Sequence, residues 1–133
     1  MPPCTLHVGR KELFHGDSPS GRYSAFFEDD GETGYFYAVD LENKTTRILD
    51  AVHIYNVANV TDTTQPSDLS IVWSRDGKKC ALLINDHSHA VFDFVARRGY
   101  CRTNFPNFPD SDTWFSSTHT WSDDAAAWLY AET

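Results

Sequence analysis

The sequence predicts a mainly β single domain: two antiparallel meanders packed as a sandwich or half-barrel, with a short helix near the C-terminus. Three observations carry this. Apolar residues alternate at period two in both halves of the chain, and the alternating runs are separated by Asp-Gly and Asn-Asp turns. The hairpins look like propeller blades, but blades run to roughly 40–45 residues and a closed ring needs about four. A chain of 133 residues is too short for that ring, so two blade-like units must pack on each other or complete themselves in an oligomer.

Residues 1–20 read as an N-terminal segment, 21–102 as the β core and 103–133 as a tail. SAFFE (24–28) is a strand, the acidic Gly-containing run 29–34 a turn, and YFYAVD (35–40) a second strand. Glu42-Asn43-Lys44 turns again before RILDAVHIYNV (47–57), whose β-branched content suits one long strand or two abutting ones. Leu69, Ile71 and Trp73 share one strand face, and Arg75-Asp76-Gly77-Lys78 turns the chain into the apolar run 80–84. Residues 85–88 (Asn-Asp-His-Ser) break that run, after which Ala90, Phe92 and Phe94 resume alternation. Near the end, Ser122 is placed to cap a helix, Asp123 and Asp124 suit its positive pole, and 125–131 is good helical material.

Hydrophobic residues make up 41% and aromatics 14% of the chain, enough for one core. No run approaches the ~18–20 apolar residues of a membrane span, and the N-terminus lacks the pattern of a secretory leader. Cys4, Cys80 and Cys101 form no paired motif, which suits a reducing cytoplasm; Cys80 reads as a buried small hydrophobe. A net charge of −8 opposes nucleic-acid binding, which needs Lys and Arg to neutralise phosphates. From Thr103 onward there is no Lys or Arg, against five acids and seven aromatics. Such a tail suits docking to a basic partner, although wrapping a sheet face is the plainer use of so many rings. Trp114, Trp121 and Trp128 recur every seven residues, but the Ser/Thr-rich stretch between the first two is poor helix material.

The densest polar cluster is Asp86, His87, His89 and Asp93. In an extended chain His87 and His89 point the same way, Asp93 shares their parity, and His53 would join them from an adjacent strand. A divalent ion held there would activate water, giving a metal-dependent hydrolase as the alternative function. The plainer reading is a polar hairpin rim, and no metal or other cofactor is expected. The acidic run 28–32 lacks the spaced ligands of a calcium loop and reads as a solvated tip. A Glu28/Asp86 acid–base pair, a Ser88 nucleophile and a reactive Cys101 are each less favoured than structural roles. Tyr35, Tyr37 and His53 would line a small-ligand pocket if they faced the gap between the sheets.

Four segments in this order, FEDDGETGYFYAVD, ILDAVHIYNV, IVWSRDGKKCALLINDHSHAVFDF and GYCRTNFP, resemble a small bacterial family of unknown function. The likeness covers about residues 26–106 and rests on three motifs: the Glu-Asp-Asp-Gly turn, the Trp-Ser-x-Asp-Gly hairpin and the His-Ala-Val-Phe-Asp-Phe strand. It implies a bacterial, single-domain protein and carries no catalytic residue. Small size, acidity, abundant aromatics and the lack of a catalytic motif lead instead to the function expected: a non-enzymatic acidic binding module for a protein with a basic surface, immunity-like or inhibitory in character.

Overall fold

The alternating runs assemble into two antiparallel sheets in the computed structural model, which describes residues 4–42, 48–103 and 119–131. A short strand, β1 (Cys4–Leu6), precedes β2 (Glu12–Asp17), β3 (Tyr23–Asp29), β4 (Thr33–Asp40) and β5 (Ile48–Asn56). The last four form one sheet in chain order. A second meander follows as β6 (Ser67–Trp73), β7 (Lys79–Ile84), β8 (His87–Asp93) and β9 (Arg98–Cys101). β1 pairs with β6 to give the order β1-β6-β7-β8-β9. Two helical turns, α1 (Asp123–Ala126) and α2 (Trp128–Ala131), close the described chain.

The turns explain why the sequence breaks where it does. Gly77 has φ +71°, and Asp76 accepts hydrogen bonds from Ser74 Oγ at 2.6 Å and Lys78 N at 3.0 Å. Lys79 N in turn donates to Ser74 Oγ, so the Ser-x-Asp-Gly motif satisfies its own backbone. Asn85 and Asp86 both have positive φ, 52° and 64°, the signature of a tight two-residue hairpin. Ser122 caps α1, accepting from Ala125 N.

The sheets pack face to face. Phe36 of β4 stacks on Phe92 of β8 at 4.9 Å, and Phe27, Val52, Leu69 and Leu82 are fully or almost fully buried between them. One side is closed where Trp73 Nε1 donates to Gly16 O at 3.0 Å. On the other side β5 approaches β9 over Gly99, where a Cβ would lie 2.6 Å from Asp50 Oδ2. His119 inserts there, its Nε2 2.9 Å from both Asp50 oxygens, while Cys101 N donates to His119 O. The chain then runs parallel beside β9 at Thr120 and folds its helical turns over the outer face of the five-stranded sheet, where Ala126 packs with Ala81 and Val91.

Three expectations change. Residues 1–20 contribute two strands, because short edge strands need only partner hydrogen bonds and little alternation of their own. β9 occupies 98–101, where no strand was expected, whereas the described part of 47–57 is the single strand Ile48–Asn56, one of the two arrangements expected. Asp29, within the run read as a solvated tip, is 1% exposed: it accepts from Gly9 N, Gly31 N and Tyr55 Oη. Asp30 does behave as a tip residue, its carboxyl held below the usual range by the Thr33 and Glu32 amides. The turn at 43–44 and the residues Phe105, Pro106, Phe108, Pro109, Trp114 and Phe115 lie outside the described residues.

Candidate functional site

The two outer faces of the sandwich differ. Trp121, Trp128, Leu129 and Ala126 pack on the five-stranded sheet. Among the described residues no element is laid over the four-stranded one. Its register sets three cross-strand rows: Leu13, Glu28, Tyr35 and His53; His15, Phe26, Tyr37 and Ala51; Asp17, Ser24, Val39 and Ile48. These alternate with the core-facing Phe14, Phe27, Phe36 and Val52. Both faces of β3 and β4 are thus apolar, which an antiparallel sheet with one wet face does not require.

A groove of about 370 Å³ crosses this face, lined by Leu13, Phe26, Glu28, Tyr37, Val39, Leu41 and Ile48. Leu13 is 61% and Ile48 52% exposed at its two ends. Glu28 is the charged residue of the lining, and its Oε1 accepts from Tyr37 Oη at 3.0 Å. Burial, and then the Glu28 carboxylate, push the Tyr37 phenol up to about 12, so it remains a donor at neutral pH. Beyond Tyr35, which stacks on Tyr37, a more polar hollow is lined by Thr33, Tyr35, His53, Asn56 and Thr103.

The polar cluster read from sequence does not assemble. His87 and His89 do meet, ring centroids 5.1 Å apart and edge to face. Asp86 is an exposed turn residue beside them. Asp93 sits at the far end of β8, roughly 13 Å along the strand from His89, where Oδ1 accepts from Val95 N and Ala96 N. His53 belongs to the other sheet, edge-on to Tyr35, with Nε2 3.0 Å from Asn56 Oδ1. Glu28 and Asp86 are likewise on different sheets. Among the described residues no three His, Cys, Asp or Glu side chains are grouped to hold a metal ion. Tyr35 pairs with His53 and stacks on Tyr37 of the next row, but all three lie on the outside of the sandwich; the space between the sheets is filled by Phe36 and Val52.

Ile48, Leu13 and Val39 were absent from the candidates for a physical reason. A bulge between Ala38 and Val39 skips Leu49 and pairs Val39 with Ile48, turning Ile48 outward against the parity of Asp50 and Val52. The readable signal was the apolar content of both parities in FF (26–27) and YFYAV (35–39).

The model of a family described as uncharacterized protein conserved in bacteria (DUF2251) matches residues 6–130. The chain belongs to the DUF2251 family. The chain is similar to an uncharacterized protein of Haemophilus influenzae (strain ATCC 51907 / DSM 11121 / KW20 / Rd), 38% identical over 111 residues. That alignment spans 84% of this chain and 68% of the relative. No solved structure matches this DUF2251 chain. Among its described residues no helix is long and apolar enough to cross a membrane.

Proposed function

We propose that this DUF2251 protein is a non-enzymatic binding module that docks a protein partner on the open face of its four-stranded sheet. One observation carries the reading: Leu13 and Ile48 stand 61% and 52% exposed around an apolar groove on a face rich in Phe, Tyr and His. Exposed aliphatic side chains beside aromatic rings are what interface cores use, and an isolated domain gains nothing from leaving them in water. The net charge of −8 favours a partner with a basic surface by raising the encounter rate. The three free thiols, Cys4, Cys80 and Cys101, suit a cytoplasmic setting.

The test is affinity capture from the native bacterium with wild type and with a Leu13→Asp/Ile48→Asp double variant, the captured protein being identified and then purified for direct titration. Both positions are solvent-exposed, so the variant is expected to fold with an unchanged circular dichroism spectrum. A partner that binds wild type and loses at least about tenfold in affinity for the variant supports the reading. Equal binding to both proteins would place the interface elsewhere.

A further inference from the structure

We infer that the groove reads a partner segment of the form apolar-x-basic-x-apolar, with its Lys or Arg seated on Glu28. This rests on the proposed docking role of that face and adds the chemistry of the occupant. The groove has aliphatic and aromatic walls and a single carboxylate, that of Glu28. Tyr37 Oη holds one oxygen of that carboxylate at 3.0 Å and thereby orients it. Among the described residues, Glu28 has no cationic partner and its second oxygen accepts no hydrogen bond. An oriented, half-buried carboxylate in an apolar trough is complementary to a cation carried between apolar groups. Past Leu13 the trough continues to a rim with Glu12 and Asp30 against one Lys11, which keeps the local field negative.

The register sets where such a segment falls. The groove runs from Leu13 on β2 across β3 and β4 to Ile48 on β5, three inter-strand steps. At about 4.8 Å per step that is roughly 14 Å across the strands; the register also sets Ile48 four residues along from the Leu13 row, roughly 13 Å, so the diagonal is about 20 Å. In an extended segment, side chains i, i+2 and i+4 share one face and span about 13.5 Å. With the apolar side chain at i on Leu13, the residue at i+2 falls beside Glu28, which pairs directly opposite Leu13, and the apolar side chain at i+4 rests on the groove floor near Tyr37 and Val39, short of Ile48.

The probe is the capped peptide Leu-Ser-Lys-Ser-Leu, titrated into isotopically labelled protein and followed by amide and methyl shifts. Leu-Ser-Gln-Ser-Leu and Leu-Ser-Glu-Ser-Leu serve as controls. The lysine peptide is expected to move the resonances of Leu13, Phe26, Glu28, Tyr37 and Val39. Replacing its lysine by glutamine, or making Glu28→Gln, is expected to weaken binding about tenfold, the scale of one charge-assisted contact. Glu28→Lys is expected to reverse the preference toward the glutamate peptide. Equal binding of lysine and glutamine peptides would overturn the inference while leaving the apolar face as an interface. Shifts confined to other surfaces, or none, would overturn it as well. So would sedimentation showing a dimer lost in Leu13→Asp/Ile48→Asp, which would assign the face to a second copy of the chain.

Discussion

A buried carboxylate survives only with partners, and Asp29 has three: the amides of Gly9 and Gly31 and the hydroxyl of Tyr55 at 2.6 Å. Burial and then the Asp29 hydrogen bond raise the Tyr55 phenol far above its usual range. Tyr55→Phe keeps the ring packing on Phe27 but removes the donor, and is expected to cost about 1.5–3 kcal/mol in urea unfolding, as for a hydrogen bond to a charged group. His89 shows the opposite response. Burial, then His87 and Arg102, lower its pKa from 6.5 to about 4. Between those values the unfolded chain binds a proton that the folded chain refuses, so this group's contribution is present above pH 6.5 and is lost as pH falls toward 4. Proton NMR of the imidazoles is expected to find the His89 midpoint near 4, moving upward in His87→Ala as the like-charge neighbour is removed. A midpoint unmoved by that substitution would assign the depression to burial and Arg102 alone.

Turns and bulges decide which side of each strand is wet. The hairpin between β7 and β8 uses two residues at positive φ, and Asn85 is further tied down: its Oδ1 accepts from Asp68 N, and its Nδ2 donates to Ser67 Oγ. Asp86 has no such tie, so Asp86→Gly relieves left-handed strain at φ 64° and is expected to stabilise the fold by about 0.5–1 kcal/mol. A loss of stability on thermal melting would instead give the Asp86 side chain an unseen structural role. The meanders were legible because Asp-Gly and Asn-Asp punctuation and period-two alternation are local signals. The bulges were not: skipping Leu49 sends Ile48 outward, and a shift between Leu82 and Leu83 sets Ser88 opposite Leu83. Parity counted along the sequence places Asp93 with the histidine pair, whereas its side chain is committed to the next turn, capping Val95 and Ala96. The groove escaped for the same reason, since Leu13 lies on an edge strand whose register comes only from pairing with β3.

At the scale of the whole molecule, the C-terminal segment covers one outer face of the sandwich, no described element covers the other, and a buried pair helps to tie the covering segment down. Asp50 and His119 are separated by 69 positions, so no local pattern announces their contact. Asp50 is 7% and His119 3% exposed, and the pair sits where β5 meets β9, beside the close approach at Gly99. His119 also accepts the Cys101 amide through its carbonyl, and Arg102, two hydrogen bonds into Ser88, lies 3.9 Å over the Trp121 ring. His119→Ala leaves the backbone bond intact but strips the buried Asp50 carboxylate of its imidazole. The carboxylate keeps one hydrogen bond, from Ala51 N at 2.9 Å, and losing the other partner of a charged group costs about 1.5–3 kcal/mol. Urea unfolding of His119→Ala is expected to show a loss of that size. Hydrogen exchange is expected to quicken first at Arg98–Cys101 and Ile48–Asn56, the two edges the pair joins. The amides of β3 and β4, held inside the four-stranded sheet, keep their protection until global unfolding. If protection fell uniformly instead, the pair would be a contributor to overall stability with no special hold on the C-terminal cover.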